Sequence, residues 1–425
     1  MKIGIIGAGF TGLSAALELQ KRGHDVTIIE KDEDPGGLAI GYKKKEWDWT
    51  VEKHYHHWFT SDDFVLSLAR EINHTVLIKQ PRTSVFIKNQ LYELDSPKAI
   101  LLFPLLPLVD KIRMSAVLAF LKFDPFWKPL EKLNAIKILT KTMGKKAFSL
   151  LWEPQLRNKM GKYADEISLV WFWTRINKRT PSLAYPEGGF LEFAKHLAKV
   201  IENKNGKILY KTEILTIKDE GVATVSIMSE GKKRDIIFDK IIVTLPTFLF
   251  LKLTPQLPQD YKEKMVKLRG LGATNMVLRL KKQFMPDDTY WLSICEKDSP
   301  VMVLVEHTNL MDKINYNNEH LLYIGNYPEP TSEEFSMSKE DLLERYDNVL
   351  LRINPDYKNS LIDYDIFRAP FAQPIVPTNY SRLIPPLSTP LPHVFLANIE
   401  QVYPWDRGTN YAVELGQKIA TLVSE

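Results

Sequence analysis

Lys2-Ile3-Gly4-Ile5-Ile6-Gly7-Ala8-Gly9-Phe10-Thr11-Gly12-Leu13-Ser14 opens the chain, and Val26-Thr27-Ile28-Ile29-Glu30 follows shortly after it. An apolar run, a glycine turn, and then Leu13, Ala16, Leu17 and Leu19 at helical spacing read as strand, turn and helix. The helix is expected over Ser14 to Arg22 with Gly23 as its stop, and a second strand over Val26 to Glu30. Gly7, Gly9 and Gly12 form the GxGxxG pattern, and each has a physical task in binding a dinucleotide. Gly7 allows the tight turn, Gly9 lets backbone N–H groups approach a pyrophosphate, and Gly12 lets helix and strand pack closely. The helix N-terminus then turns its partial positive charge toward the phosphates. Glu30, at the end of the second strand, is placed to accept hydrogen bonds from ribose hydroxyls.

Lys31-Asp32-Glu33-Asp34-Pro35-Gly36-Gly37-Leu38 comes next. With this Gly-Gly pair the chain resembles the superfamily of FAD-dependent amine oxidases, protoporphyrinogen oxidases and phytoene-type desaturases. There the backbone of the pair contacts the FAD diphosphate and ribityl chain, so the resemblance implies FAD as the cofactor. Later stretches match in order. Tyr185-Pro186-Glu187-Gly188-Gly189-Phe190, before a helix over Leu191–Asn203, resembles the family's "YPxGG" segment. Thr212-Glu213-Ile214 resembles the strand that holds the adenine, and Ile241–Pro246 the strand that re-enters the FAD domain. Phe395–Asn398 and Asp406–Val413, with Gly416, resemble the C-terminal flavin segment. The contacts so implied are Gly7, Gly9, Phe10, Thr11, Gly12, Glu30, Lys31, Gly36, Gly37, Leu38, Ile214, Asn398, Gly408, Thr409, Asn410 and Ala412. One departure is Ala397-Asn398, where many relatives carry Gly-Asp; Asn supplies hydrogen bonds without charge.

Lys53-His54-Tyr55-His56-His57-Trp58-Phe59-Thr60 holds three of the nine histidines. A metal site is not expected, because no cysteine or carboxylate with ligand spacing is near. The resemblance puts this stretch against the flavin ring, and the distantly similar UDP-galactopyranose mutases also carry histidine there. His54 and His56 share a face if the segment is extended, and are candidate catalytic residues. Glu306 and His307 end an apolar strand where polar groups commonly reach a cavity, so Glu306 is a further candidate. Arg368 lies where oxidase relatives approach the flavin, and Arg175, Arg179 and Arg407 are other cationic candidates.

Composition sets the outer limits. A 425-residue chain, 44% hydrophobic and 25% charged, suits two or three globular lobes. Its 56 basic and 52 acidic residues leave a net charge of +4, and no basic run reads as a nucleic-acid arm. Cys295 is the only cysteine, which fits a reducing compartment. With Met1-Lys2 leading straight into a strand, a cytoplasmic protein is expected. The most apolar stretch, residues 99–126, is broken by prolines and charges and cannot span a bilayer. Its Leu, Phe and Trp127 with Lys111, Arg113 and Lys122 suit peripheral contact with the inner face of the membrane, and a lipid-like small-molecule substrate.

Residues 82–92 read as a hairpin, 97–180 as mostly helical, 338–353 as a helix and 374–392 as a Pro-rich loop. The expected architecture is α/β: a two-lobe flavoprotein with a discontinuous Rossmann-like FAD-binding domain and a mixed α+β substrate domain. Residues 1–75, 186–245 and 386–425 form the first, and 76–185 with 246–385 the second. The implied activity is FAD-dependent oxidoreduction, hydride passing from substrate to flavin N5. The alternative is redox-neutral flavin chemistry on a sugar nucleotide. Substrate identity and oligomeric state stay open.

Overall fold

The structure is a computed structural model that describes all 425 residues. One lobe is built on a five-stranded parallel sheet in the spatial order Lys207–Leu209, Asp25–Ile29, Lys2–Ile6, Lys240–Val243 and Val394–Leu396. Strand order reverses at Lys2–Ile6, and in open parallel sheets ligands bind beyond the carboxyl ends of the strands at such a switch point. That is where the glycine turn lies.

The first helix runs Phe10–Lys21, one turn earlier than its apolar spacing suggests. Packing explains the early start: Phe10 is buried and its ring stacks on Phe193 at 5.6 Å. A Cβ on Gly12 would lie 2.1 Å from the Gly7 carbonyl oxygen, so only glycine lets this helix sit so close to its turn. The final helix, Thr409–Ser424, packs on the first in the same way. There a Cβ on Gly416 would lie 2.5 Å from the Thr11 carbonyl oxygen. Leu13, Leu17, Ile419 and Val423 bury their side chains in this core, each worth about 1.5–3 kcal/mol.

The other lobe has a seven-stranded sheet in the order Leu361–Pro374, Gly270–Leu280, His320–Asn326, Val303–Glu306, Thr289–Ile294, Arg82–Ile87 and Gln90–Glu93. Pro370 and Pro374 lie on its edge strand, where a missing backbone donor costs no ladder bond. The expected hairpin of residues 82–92 turns at Lys88 and Asn89, both left-handed. Residues 97–177 form successive helices whose core is shared with Val85, Ile87 and Leu271 of the seven-stranded sheet.

Two features cross the expected domain boundaries. Leu183–Pro186 pairs with both Trp58–Phe59 and Val76–Lys79, stitching the lobes together. Phe250, Leu257 and Met265 pack with Ile6, Ile241 and Val394, so residues 247–265 sit on the parallel sheet rather than with the second lobe.

Candidate active site

A cleft of about 1930 Å³ lies between the lobes, running from the glycine turn to the helical region. At its outer end two glycine loops meet backbone to backbone. Gly9 bridges to Gly36, and the Gly36 N–H donates to the Ala8 carbonyl at 2.9 Å. Gly7, Gly36 and Gly37 all have positive φ, which a side chain would disfavour. A Cβ on Gly37 would come within 3.0 Å of the Gly9 Cα. The helix starting at Phe10 points its free N–H groups into this cradle, with no side-chain cap on them. Such a cradle fits a dinucleotide diphosphate. Glu30 is buried beside it; its carboxylate accepts the Ala8 N–H at 2.7 Å and the Asp32 N–H at 3.0 Å. Lys31, Leu38 and Ile214 line the same end.

Gly408 begins the last helix on the opposite wall, and Thr409 and Ala412 line the cleft beside it. Asn410 also lines it, yet its side-chain oxygen accepts the N–H groups of Phe64 and Val65 at 3.0 and 3.1 Å. It therefore caps the helix Asp63–Glu71. Asp62 accepts the Phe59 N–H.

All three clustered histidines line the cleft. The His54 Nδ1 meets the Asn275 amide at 2.6 Å, His56 Nδ1 meets the His54 carbonyl at 2.5 Å, and His57 Nδ1 meets the Tyr290 hydroxyl at 3.0 Å. Burial, then neighbouring cations or histidines, pushes His54 and His57 down to about 3. Burial likewise pushes His56 down to about 4. All three are neutral at pH 7 and suited to donate or accept hydrogen bonds rather than to hold charge. Arg368 lines the cleft as well; its guanidinium donates to the Met337 carbonyl, and its buried Nε has no partner.

Three expected residues lie elsewhere. Glu306 is fully buried and absent from the cleft wall; its two oxygens accept the N–H groups of Phe284 and Met285 at 2.8 and 2.7 Å. Strand alternation is the reason. Val303 faces the cleft, whereas Leu304 and Glu306 face the opposite side, where Leu304 packs with Tyr346 and Leu350. His307 is also buried off the cleft wall but on the other side, its ring against Tyr185 and Tyr323 and bonded to the Tyr316 hydroxyl at 2.8 Å. Asn398 is buried behind the wall, its amide donating at 3.1 Å to the Leu245 carbonyl and to the Thr247 hydroxyl. It ties two strand ends together instead of reaching the cleft.

Sequence reasoning missed several groups. Glu52 is fully buried; it accepts both the Tyr185 hydroxyl and the Phe190 N–H, and burial pushes it up to about 7. Lys159, Asn275 and Tyr327 line the inner cleft from separate elements. No local signal marks them, since each sits in an ordinary helix, strand or loop pattern.

Fold and cleft together define a two-lobe dinucleotide-binding protein of the oxidoreductase type. Residues 10–423 match the family described as flavin containing amine oxidoreductase, and the chain belongs to it. Membership makes it a flavoprotein with FAD as its cofactor, and the glycine cradle fits a dinucleotide diphosphate. The 4,4'-diapophytoene desaturase (4,4'-diaponeurosporene-forming) of Staphylococcus haemolyticus is 52% identical over 44 residues, a match spanning 10% of this chain and 9% of the desaturase. Among solved structures, cyclohexylamine oxidase from Brevibacterium oxydans IH-35A is similar, with a TM-score of 0.75 at 16% identity, covering 100% of this chain and 98% of that one. Reduced UDP-galactopyranose mutase is similar with a TM-score of 0.76 at 17% identity, covering 100% and 96%. At such identities the likeness is one of fold.

Proposed function

We propose that this chain is an FAD-dependent oxidoreductase acting on a hydrophobic substrate that it meets at a membrane surface. The observation carrying the reading is an exposed apolar face beside the cleft. No helix is long and apolar enough to cross a membrane. The helix Leu108–Phe123 nevertheless exposes Val109, Ile112, Phe120 and Phe123, the last at 80%, while Met114 and Leu121 are buried in the core. Val109, Ile112, Ala116, Phe120 and Phe123 follow one another at helical spacing, so they form one stripe. Leu101, Leu102 and Phe126 extend it, and the exposed Lys98, Arg113 and Lys128 flank it. An apolar stripe with basic flanks matches an anionic lipid surface. The stripe lies near the cleft, because Lys122 donates to the carbonyl of Arg179, whose residue lines the cleft rim.

When bound, FAD supplies a two-electron acceptor for the hydride of a substrate C–H bond. Gly7, Gly9, Gly36, Gly37 and the helix start at Phe10 would hold its diphosphate, and Gly408, Thr409 and Ala412 its far end. Neutral His54 and His56 would orient substrate through hydrogen bonds, and the lobes would exclude water. Arg368 would bound the substrate on the side of the seven-stranded sheet.

Two measurements test this. Purified protein should float with anionic vesicles at low salt, and Phe120→Asp with Phe123→Asp should abolish flotation without loss of fold. Protein that stays below the vesicles would end the membrane reading. Anaerobic titration with polyisoprenoids or hydrophobic amines should bleach the flavin absorbance stoichiometrically. A second reading, redox-neutral chemistry on a sugar nucleotide, is favoured by the cations of the inner cleft. It predicts turnover with no net flavin reduction.

A further inference from the structure

Charge in the inner cleft is unbalanced. Asp406 pairs with Arg175 at 2.8 Å, and it is the one carboxylate acting on a group that also contains Lys159 and Arg407. Arg407 donates to the Tyr327 hydroxyl, and its Nε is buried with no partner, as is the Arg175 Nε. Lys159 has no acidic partner within salt-bridge distance; its ammonium lies 4.5 Å from the Tyr327 ring centre and 5.7 Å from that of Trp171. The Arg175 guanidinium covers the other side of this wall, 4.0 Å from the Trp171 ring centre. Three basic groups share one carboxylate in a cleft walled by aromatic rings.

The arrangement is held from both lobes. Lys159 comes from the helix Glu153–Met160 and Arg175 from the helix Leu169–Asn177, whereas Arg407 precedes the last helix of the parallel-sheet lobe. Tyr55 and Tyr327 bring two hydroxyls 3.3 Å apart to the same place, next to Arg407. Guanidinium groups fit phosphate oxygens bidentately, an ammonium adds a point charge, and phenolic hydroxyls donate to remaining oxygens. The same field opposes a protonated amine, the substrate form that the family description would suggest.

We propose that Lys159, Arg175 and Arg407, with the hydroxyls of Tyr55 and Tyr327, form a subsite for a dianionic phosphate or diphosphate ester carried by the substrate. The subsite is separate from the glycine cradle that takes the cofactor diphosphate, being built from side chains on the far side of the cleft. Burial, then Arg175 and Arg407, holds the Lys159 ammonium well below its ordinary range, and Asp406 opposes them. A bound dianion would relieve that imbalance. The proposal rests on the reading of this cleft as the substrate site, but not on hydride transfer.

The test is calorimetric titration of the FAD-loaded protein with inorganic pyrophosphate, acetate and butylammonium. Pyrophosphate should bind, acetate weakly and butylammonium not at all, and bound pyrophosphate should shift the flavin absorption bands. Lys159→Met and Arg175→Met should each weaken pyrophosphate at least tenfold with FAD content unchanged, and Arg175→Lys should recover part of the loss. If a Met variant fails to fold, preference for pyrophosphate over butylammonium in the wild-type protein decides alone. Pyrophosphate binding that is absent, or equal in folded wild-type and Met variants, overturns the subsite. UDP and farnesyl diphosphate then separate nucleotide from prenyl carriers by which binds more tightly. If diphosphates bind yet no candidate reduces the flavin, the subsite stands and the oxidoreductase reading fails.

Discussion

The two ends of the cleft are built by different means. The outer cradle is made of backbone: glycines whose conformations or close approaches exclude side chains, and a helix start whose N–H groups have no side-chain cap. The inner end is made of side chains that converge from two lobes, among them Lys159, Arg175, His54 and Asn275. A backbone site tolerates change around it but not at its glycines. A side-chain site can be retuned one residue at a time, so one cofactor fold can serve many substrates.

The largest effects should fall on the cradle. Gly12→Val forces a Cβ into a space where it would meet the Gly7 carbonyl at 2.1 Å, and this should prevent stable folding. Gly9→Val is milder for the fold, since its Cβ would meet only the Gly37 Cα at 3.7 Å, but it fills the phosphate space. A folded, colourless Gly9 variant is expected; one retaining about one FAD per chain would refute the backbone-cradle account.

Next comes acid sensitivity, which belongs to the inner cleft and its surroundings. His54, His57 and His307 are held at about 3 and His56 at about 4, mainly by burial. The unfolded chain therefore takes up their protons first as pH falls. Their stabilisation is complete above about pH 6.5 and is lost progressively toward pH 4, by at most about 1.4 kcal/mol per pH unit for each group. Glu52, raised to about 7, acts in the opposite sense between about pH 4.5 and 7, because the folded state holds its proton more tightly. The histidines outnumber it, so the urea midpoint should fall from pH 7.5 to pH 5, and His307→Gln should lessen the fall. A flat midpoint across that range would show that these histidines are not buried as described.

A smaller effect tests a residue that touches both regions. Asn410→Ala removes the cap on Asp63–Glu71 and should cost about 0.5–2 kcal/mol by denaturant titration, with FAD content retained. Loss of flavin without loss of stability would instead make Asn410 a cofactor contact. Phe126→Asp, on a side chain 71% exposed, should change stability by no more than about 0.5 kcal/mol while weakening vesicle binding.

The limits of sequence reading follow from the same contrast. Gly7 to Gly12, Glu30 and Gly36-Gly37 were legible because a phosphate cradle needs fixed spacing along one short stretch of chain. Asn398 and Glu306 lie off the cleft wall, and Asn410 lines it while also capping a helix, because a polar residue at an element end has two uses, to face a ligand or to tie up backbone groups. Which use wins depends on partners far away in the chain: Phe64 for Asn410, Phe284 for Glu306, Thr247 for Asn398.

By itself the amino-acid order determined the strand–turn–helix start, its dinucleotide chemistry and the alternation of apolar stretches that builds the parallel sheet. Local spacing and backbone sterics are enough for those, since each acts over a few residues. Only the tertiary structure decided which helix face of residues 108–123 stays in solvent, which side of its strand Glu306 occupies, and that Lys159, Arg175 and Arg407 share a single carboxylate. Those outcomes depend on packing between segments hundreds of residues apart, where burial and charge are set by neighbours that no local pattern names.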